Sequence, residues 1–338
     1  MIFCPCCNVQ NSIRNQRKSL LNLRKSASKT KACHLLNDLL KELTQSDVRR
    51  LAWAIGSPSL FDSNDPVWKS RLRTDAWSAS ELARCSPWLH ALDRNPQSLS
   101  DAIGDPLINA PLGHTFEKFV LLWQSQRPDV RHATRGLVVK SGNRTVGEFD
   151  VVMLRHDGII ETLEVTVKYY LNLNPTLGID GCIGPRAFDR MSDKFKKMTE
   201  RQTSLGDTEA GRITLAKWLT EQCGEPKAPE QITVENFALA RGYLFHPSAD
   251  ALIPKELSPN HGRGLWQTDA IALPGPHWRN LAGREWLGPY RGEFAESGWP
   301  NDPAMPRMYA CIHERNGQWD ESERRFVVRA DSGLLKSV

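Results

Sequence analysis

One stretch decides the fold of this chain, GEFDVVMLRHDGIIETLEVTVKYYL, which runs from Gly147 to Leu171. It is rich in β-branched residues and contains Asp157-Gly158, a dipeptide typical of tight hairpin turns, so it predicts two antiparallel strands. Four acidic residues interrupt these strands: Glu148, Asp150, Glu161 and Glu164. Because burial disfavours a charged carboxylate, acidic positions on covered strands are candidates for a functional site.

The simplest explanation of these acids is a sheet with one solvated face, where alternate charges meet only water. The apolar neighbours argue against it, since Val151 and Val165 would cover one face and Val152 indicates that much of the other face is covered too. We therefore expect some of the four carboxylates to have a specific partner, such as a metal ion or a basic side chain.

Asp150 and Glu164 are the best placed of the four to act together. Side chains alternate along a strand, and the turn brings the two strands side by side, so these two carboxylates should converge. Such a pair suits Mg²⁺ or Mn²⁺, hard cations that proteins hold with one or two carboxylates, water and substrate phosphate. Lys168 shares a face with Glu164 and could steer the attacking water and offset charge at a scissile phosphate. This is the chemistry of phosphodiester hydrolysis.

Helical spacing of apolar residues dominates the chain before the hairpin. Residues 68–77 and 81–94 predict two helices, the second of them broken at Pro87. The segment PLGHTFEKFVLLWQSQ (111–126) predicts another helix, with Glu117 beside its buried face. The run RGLVVKS then adds a strand in front of the hairpin, so the sheet begins as a three-stranded meander.

After the hairpin, the pattern predicts a helix and a further strand. The segment AFDRMSDKFKKMTERQ (187–202) is a polar amphipathic helix, with Phe188 at the start of its inner stripe. Its basic side chains, which include Lys194, either pair with neighbouring acids or lie along a phosphate backbone. The segment ENFALARGYLFHP (235–247) predicts the strand.

This order of elements resembles the core of the PD-(D/E)XK nuclease superfamily, in which a helix with a glutamate precedes a meander bearing Asp and then Glu-x-Lys. The segment GEFDVV is similar to the Gly-Glu-apolar-Asp signature of its resolvase-like members. Within the superfamily, LGHTFEKF, GEFDVVM, LEVTVKYYL and GPRAFDRMSDK resemble the bacterial domain-of-unknown-function family 1853, over roughly residues 47–330.

The resemblance implies an α/β fold with a restriction-endonuclease-like core. It makes Glu117 the helix glutamate, Asp150 the metal-binding aspartate and Glu164 the second metal-binding carboxylate. Thr166 stands where the superfamily usually has lysine, and Lys168 lies about 7 Å further along the same face. We therefore expect the side chain of Lys168 to run back toward the two carboxylates. If it does not, the fold persists with weak or no catalysis.

The charge pattern divides the chain unevenly. Formal net charge is +5, but residues 1–45 carry +6 and the remainder carries −1, so overall basicity is no evidence for what the body binds. We predict a flexible basic tail over 1–45, a nuclease-like core with N-terminal helices over 46–250, and an irregular Trp-rich α+β extension packed on that core over 251–338. The extension should end in two strands, MYACIHE and RRFVVRA.

The expected function is metal-dependent hydrolysis of a nucleic-acid phosphodiester, with Mg²⁺ or Mn²⁺ as cofactor and DNA preferred to RNA as partner. Two alternatives stay open, a nucleic-acid-binding module that has lost the chemistry and a protein-interaction scaffold. No apolar run is long enough to cross a bilayer, and the eight cysteines are dispersed, so we expect a cytoplasmic protein with reduced thiols. Cys4, Cys6, Cys7 and the Cys33-His34 pair could together form a zinc site, but the spacing lacks a second C-x-x-C or H-x-x-x-H half and disfavours it.

Overall fold

The structure, a computed structural model, describes residues 34–104, 111–224, 226–269, 271–274, 277–293 and 306–336. In these residues the chain forms a mixed α/β fold, in which one ten-stranded sheet has helices on both faces. None of the helices in this part of the chain is long and apolar enough to span a membrane.

Seven α-helices lie within the described ranges. They are α1 (34–42), α2 (Ser46–Gly56), α3 (Asp75–Arg94), α4 (Gln97–Ile103), α5 (Leu112–Gln124), α6 (Met191–Glu200) and α7 (Glu209–Cys223). Short 3₁₀ helices lie at Pro66–Trp68, Pro175–Gly181, Gln202–Asp207, Pro229–Gln231, Gly283–Trp286 and Gly333–Lys336. The predicted helix over 111–126 is confirmed as α5, whereas residues 69–74 of the predicted helix 68–77 are not helical.

Helix α3 continues through Pro87, where the sequence predicted a break. A proline removes the N–H that would bond the carbonyl four residues earlier. Pro87 and Ala83 both lie on the exposed side of α3, so the freed carbonyl of Ala83 can bond water instead. The predicted break was wrong because exposure lowers the cost of the missing hydrogen bond.

Helix α6 begins later than predicted. Met191 and Met198 are buried on its inner stripe as expected, but Phe188 lies outside the helix and is 86% exposed. Ala187 has φ 66°, a left-handed conformation that an α-helix cannot contain. The prediction that Phe188 belongs to the inner stripe was therefore wrong.

The ten strands follow the chain as β1 (Val130–Ser141), β2 (Arg144–Arg155), β3 (Ile160–Asn172), β4 (Cys182–Ile183), β5 (Val234–His246), β6 (Gly262–Thr268), β7 (Trp278–Asn280), β8 (Arg291–Gly292), β9 (Arg307–Arg315) and β10 (Gln318–Val328). Their order in the sheet is β1-β2-β3-β5-β6-β10-β9-β7, with β4 on β3 and β8 on β10.

The first three strands form the predicted antiparallel meander. Gly142 and Gly158 have φ 59° and 83° in its two turns, which is the left-handed conformation that such turns require. Strand β5 then pairs with β3 in parallel along nearly its whole length, so β3 is a central strand. Its side chains are almost all buried, which agrees with the expectation that both faces are covered.

Helices on both faces of the meander form separate apolar clusters. On one face, Val151 and Val165 pack with residues of α2, α3 and α5. On the other face, Val152 packs with residues of α7, and Tyr170 packs with Met191 of α6. The acidic residues of β2 and β3 therefore lie in a sheet that is covered on both sides.

The predicted tail over 1–45 was too long. Helix α1 and the residue that follows it bury four leucines in the main core, at 36, 39, 40 and 43, with exposures of 0–6%. Their positions i, i+3, i+4 and i+7 are those of one helix face, which explains why this segment packs although it belongs to a basic region. The folded body thus includes residues 34–45, while residues 1–33 lie outside the described residues.

The predicted boundary at 250/251 falls inside one continuous sheet. Strand β6 pairs in parallel with β5, and β10 pairs in parallel with β6. The two strands expected near the C-terminus are confirmed as β9 and β10. Residues 251–338 are therefore not an irregular extension laid on a finished core, because their strands complete the sheet itself.

Candidate functional site

The site begins where β2 and β3 separate. The last paired residues of their ladder are Val151 and Leu163, so Asp150 and Glu164 occupy the next positions. The N–H of Val165 bonds Oδ2 of the Asp150 side chain at 2.7 Å, in place of a backbone carbonyl of β2. This bond fixes the carboxylate in the gap between the strands, beside Glu164.

The carboxylates of Asp150 and Glu164 are close enough to share a hydrogen bond, as the strand alternation predicted. Glu164 is only 6% exposed. Burial, followed by the charge of Asp150, raises the pKa of Glu164 to about 8, and burial also raises the pKa of Asp150. The fold thus holds two acids together at a place where their charged forms are disfavoured.

Glu117 approaches this pair from helix α5. It is partly buried and forms an ion pair with Arg135 of β1 at 3.2 Å. Burial and then the nearby charge of Asp150 raise the pKa of Glu117 as well. The structure therefore brings together all three acidic residues that the sequence selected.

Lys168 does not join them. Its Nζ lies 2.6 Å from Oδ2 of Asp189, and the hydroxyl of Tyr170 donates to the other oxygen of the same carboxylate at 3.3 Å. The expectation that Lys168 runs back toward Asp150 and Glu164 was wrong. Strand alternation correctly predicted that Lys168 shares a face of β3 with Glu164. Lys168 nevertheless pairs with Asp189, on the loop before α6, which lies closer to its ammonium group.

A different lysine contacts Glu164. Lys194 of α6 donates to Oε1 of Glu164 at 3.1 Å and to Oε1 of Gln202 at 3.0 Å. From the sequence, Lys194 was expected, like the other basic residues of this helix, either to pair with neighbouring acids or to lie along a phosphate backbone. Its position was nevertheless informative, because it lies three residues after Met191 and four before Met198, on the buried face of α6.

Glu161 and Glu148 have other surroundings. Glu161 is buried between Arg73 and Arg127, with Nη1 of Arg127 at 3.0 Å, so it belongs to a structural ion-pair cluster. Glu148 is exposed at the rim of the site. Of the four acids that interrupt the strands, Asp150 and Glu164 alone form the close pair.

A cleft of about 1020 Å³ opens beside Asp150. The β2 side of its wall includes Glu148, and the opposite wall includes Lys197, Arg201 and Leu205. Acidic, basic and apolar side chains thus line the cleft together, and Asp150 is the member of the carboxylate pair that lies in its wall.

Two carboxylates form the strongest donor set for a cation here. Among the described residues, no group of three or more His, Cys, Asp or Glu side chains is arranged to hold a metal ion. A Mg²⁺ ion commonly takes only one or two protein carboxylates and completes its shell with water and phosphate. The two carboxylates of Asp150 and Glu164 are therefore enough protein ligands, of the right chemical type, for such an ion. The cysteines considered for zinc, Cys4, Cys6, Cys7 and Cys33, lie outside the described residues.

Comparison with known proteins gives one match. A family model described as a domain of unknown function (DUF1853) matches residues 49–328. No curated protein and no solved structure matches the chain. The matched range includes Glu117, Asp150, Glu164 and Lys194, together with the cleft.

Proposed function

The chain belongs to the DUF1853 family, and we propose that it is a metal-dependent nuclease that hydrolyses a phosphodiester bond of a nucleic acid. The observation that carries the proposal is the Asp150–Glu164 pair, fixed at the opening between β2 and β3, with Asp150 lining a cleft. The order α5, β1–β3, α6 and β5 also supports a restriction-endonuclease-like core of the PD-(D/E)XK type.

The pair fits a divalent cation on physical grounds. Two buried carboxylates in contact repel each other when both are charged, and Lys194 is the one basic group seen to bond either of them in the described residues. A hard cation between Asp150 and Glu164 would relieve that repulsion and favour their ionised forms. When bound, Mg²⁺ or Mn²⁺ supplies a Lewis acid for the phosphate and lowers the pKa of an attacking water.

The protein side chains have distinct parts in this proposal. Asp150 is held by the N–H of Val165, so its free oxygen is directed by the backbone rather than by a flexible contact. Glu164 is oriented by Lys194, which is in turn held by Gln202. Glu117 adds a third acid near Asp150, placed to accept a proton from water.

Lys194 takes the place proposed from sequence for Lys168. It reaches the second carboxylate from helix α6 instead of from strand β3, and its side chain is 14% exposed. A mostly buried ammonium beside the pair offsets part of the negative charge that a phosphate brings to this site. The loss of the usual lysine at Thr166 is thereby compensated from a neighbouring element.

A catalytically inactive nucleic-acid-binding module is the second candidate. It is favoured because Thr166 stands where the superfamily usually has lysine and because Lys168, the nearest lysine on β3, bonds Asp189 instead of the carboxylate pair. It is disfavoured by the retention of the carboxylate pair, because a binding module gains nothing from two adjacent acids that repel a phosphate.

A cleavage assay separates the two. Purified protein is incubated with single- and double-stranded DNA and RNA in Mg²⁺ or Mn²⁺, and Asp150→Asn is compared with Asp157→Asn, a matched change at the exposed hairpin turn. We expect wild type and Asp157→Asn to cut and Asp150→Asn to lose at least about a hundredfold in rate, which corresponds to several kcal/mol of lost metal assistance. Cleavage that survives in Asp150→Asn, or no cleavage by wild type, would contradict the proposal.

A further inference from the structure

The loop of residues 184–190, which precedes α6, presents one aromatic side chain to solvent. Phe188 is 86% exposed, more than any other large apolar residue among the described ones. The loop is tightly folded, since the N–H of Ala187 bonds the carbonyl of Gly184 at 2.9 Å and the N–H of Gly184 bonds the carbonyl of Asp189 at 2.7 Å. Ala187 has φ 66°, a conformation that costs energy for any residue other than glycine. We name this segment the Phe188 loop.

Two side chains of β3 anchor the Phe188 loop. Lys168 and Tyr170 both bond the carboxylate of Asp189, the residue next to Phe188. A backbone bridge between Ile183 and Arg190 closes the base of the loop. The lysine that the sequence assigned to catalysis therefore anchors the loop at the residue next to an exposed aromatic side chain.

The anchor lies on the same face of β3 as the carboxylate pair. Lys168 comes four residues after Glu164, a separation of about 13 Å along an extended strand. The helix that follows the loop returns to Glu164 through Lys194, at 3.1 Å. At roughly 3.4 Å per stacked nucleotide, 13 Å corresponds to about four nucleotides. A strand that runs from the carboxylates along β3 toward Lys168 would thus pass the Phe188 loop within a few nucleotides.

Charge and shape indicate what the ring contacts. Residues 186–201 contain six basic and three acidic residues, a net charge of +3, which favours a polyanion over a neutral apolar partner. One ring on a narrow loop is also unlike a protein-docking surface, which needs a contiguous apolar patch of a few hundred Å². An aromatic ring beside basic residues is the combination that binds single-stranded nucleic acid through base stacking.

We infer that Phe188 stacks on an unpaired base of the nucleic acid, so that the substrate has a single-stranded stretch within a few nucleotides of the cleaved bond. This inference rests on the proposed function for its substrate class, but it makes a separate claim about binding. A base inside a duplex is stacked on both sides, and a ring that enters there must unstack a base step at a cost in free energy. An unpaired base or a strand end is therefore the favoured partner.

Binding without cleavage tests the inference. The affinity of the full chain for a fluorescein-labelled single-stranded DNA is measured by fluorescence anisotropy in EDTA, for wild type, Phe188→Ala, Phe188→Trp and Leu177→Ala. Leu177 is the matched control, because it is a half-exposed apolar residue on the neighbouring 3₁₀ helix. We expect Phe188→Ala to weaken the Kd about tenfold, the size of one base–aromatic stack, and the other two variants to bind as wild type does.

An abasic scan then identifies the stacked base. Single abasic sites are placed in turn along the oligonucleotide, and one position should weaken wild-type binding about tenfold while leaving Phe188→Ala unaffected. Equal Kd values for wild type and Phe188→Ala, or equal sensitivity of both proteins at every abasic position, would overturn the inference even if the enzyme cuts DNA. The stack stands and the nuclease proposal fails if Phe188 governs binding but no polymer is cleaved.

Discussion

Two buried glutamates lie three residues apart on β3, and they differ in the charges around them. Glu161 is 2% exposed and is bonded by Arg73 and Arg127, so one anion meets two cations. Glu164 is 6% exposed and meets one cation, Lys194, and a second acid, Asp150. Burial alone therefore does not mark a functional carboxylate.

Charge balance separates the two positions. The guanidinium of Arg73 lies 3.5 Å from the ring centre of Phe237. The ion-pair cluster of Glu161, Arg73 and Arg127 is therefore surrounded by other protein groups. In the Asp150–Glu164 pair, Asp150 lines a cleft instead. A buried charge that is fully paired with protein groups is structural, whereas a like-charged pair beside a cleft is a candidate for a binding or catalytic site. Four predictions test this comparison, beginning with the largest expected effect.

The largest effect is expected for Glu161→Gln. This change removes the only carboxylate bonded to Arg73 in the described residues and leaves a buried guanidinium without its counter-charge. We expect the free energy of unfolding to fall by about 3–5 kcal/mol, measured by urea denaturation. Glu164→Gln, the same substitution on the same strand, is the control and should cost much less. Equal losses would mean that charge balance does not distinguish the two sites.

Divalent cations should stabilise the folded protein by binding at the Asp150–Glu164 pair and not at Glu161. At a Mn²⁺ concentration about a hundredfold above its Kd, binding adds about 2.7 kcal/mol to the stability of wild type. The melting temperature of wild type should rise by several degrees, while that of Glu164→Gln should rise little. Calorimetric titration at the same pH gives the Kd independently. A similar rise in both proteins would place the ion elsewhere.

The pH dependence of stability should follow the raised pKa of Glu164. A carboxyl whose pKa rises from 4.5 in the unfolded chain to about 8 in the fold binds more protons when folded, so stability falls as the pH rises across that window. The shift of Asp150 acts in the same direction. In EDTA we expect wild type to lose about 2.5 kcal/mol relative to Glu164→Gln between pH 5 and pH 7. Parallel pH profiles for the two proteins would show that the pair is not coupled to folding.

Local patterns predicted the half of the fold that contains the site. Helix α5, the meander and the convergence of Asp150 with Glu164 follow from helical spacing, strand alternation and a two-residue turn. The C-terminal half was predicted less well, because β6 and β10 pair in parallel across long connections. Such pairing leaves no turn signal beside the strand.

Local patterns could not predict which lysine contacts Glu164. Alternation predicts which face of β3 Lys168 occupies, but the choice among carboxylates on that face depends on where the Phe188 loop folds back. Lys194 reaches Glu164 only because α6 packs Met191 and Met198 against β3 and its neighbours. That contact joins residues 30 positions apart and belongs to tertiary packing.

The smallest effect is expected for Lys168→Ala. Its ion pair with Asp189 is about one-third exposed, so its loss should change the free energy of unfolding by less than about 1 kcal/mol. Released from its anchor, the Phe188 loop should hold the ring less firmly, which would weaken single-stranded DNA binding a few-fold without changing the cleavage rate at saturating substrate. Lys194→Ala is the counterpart, because it removes the contact to Glu164 and should lower that saturating rate while leaving the Kd for DNA in EDTA nearly unchanged. Single-turnover cleavage and anisotropy on both variants measure the two quantities separately. If Lys168→Ala lowers the saturating rate and Lys194→Ala does not, the lysine of the strand is the functional one and the assignment to α6 is wrong.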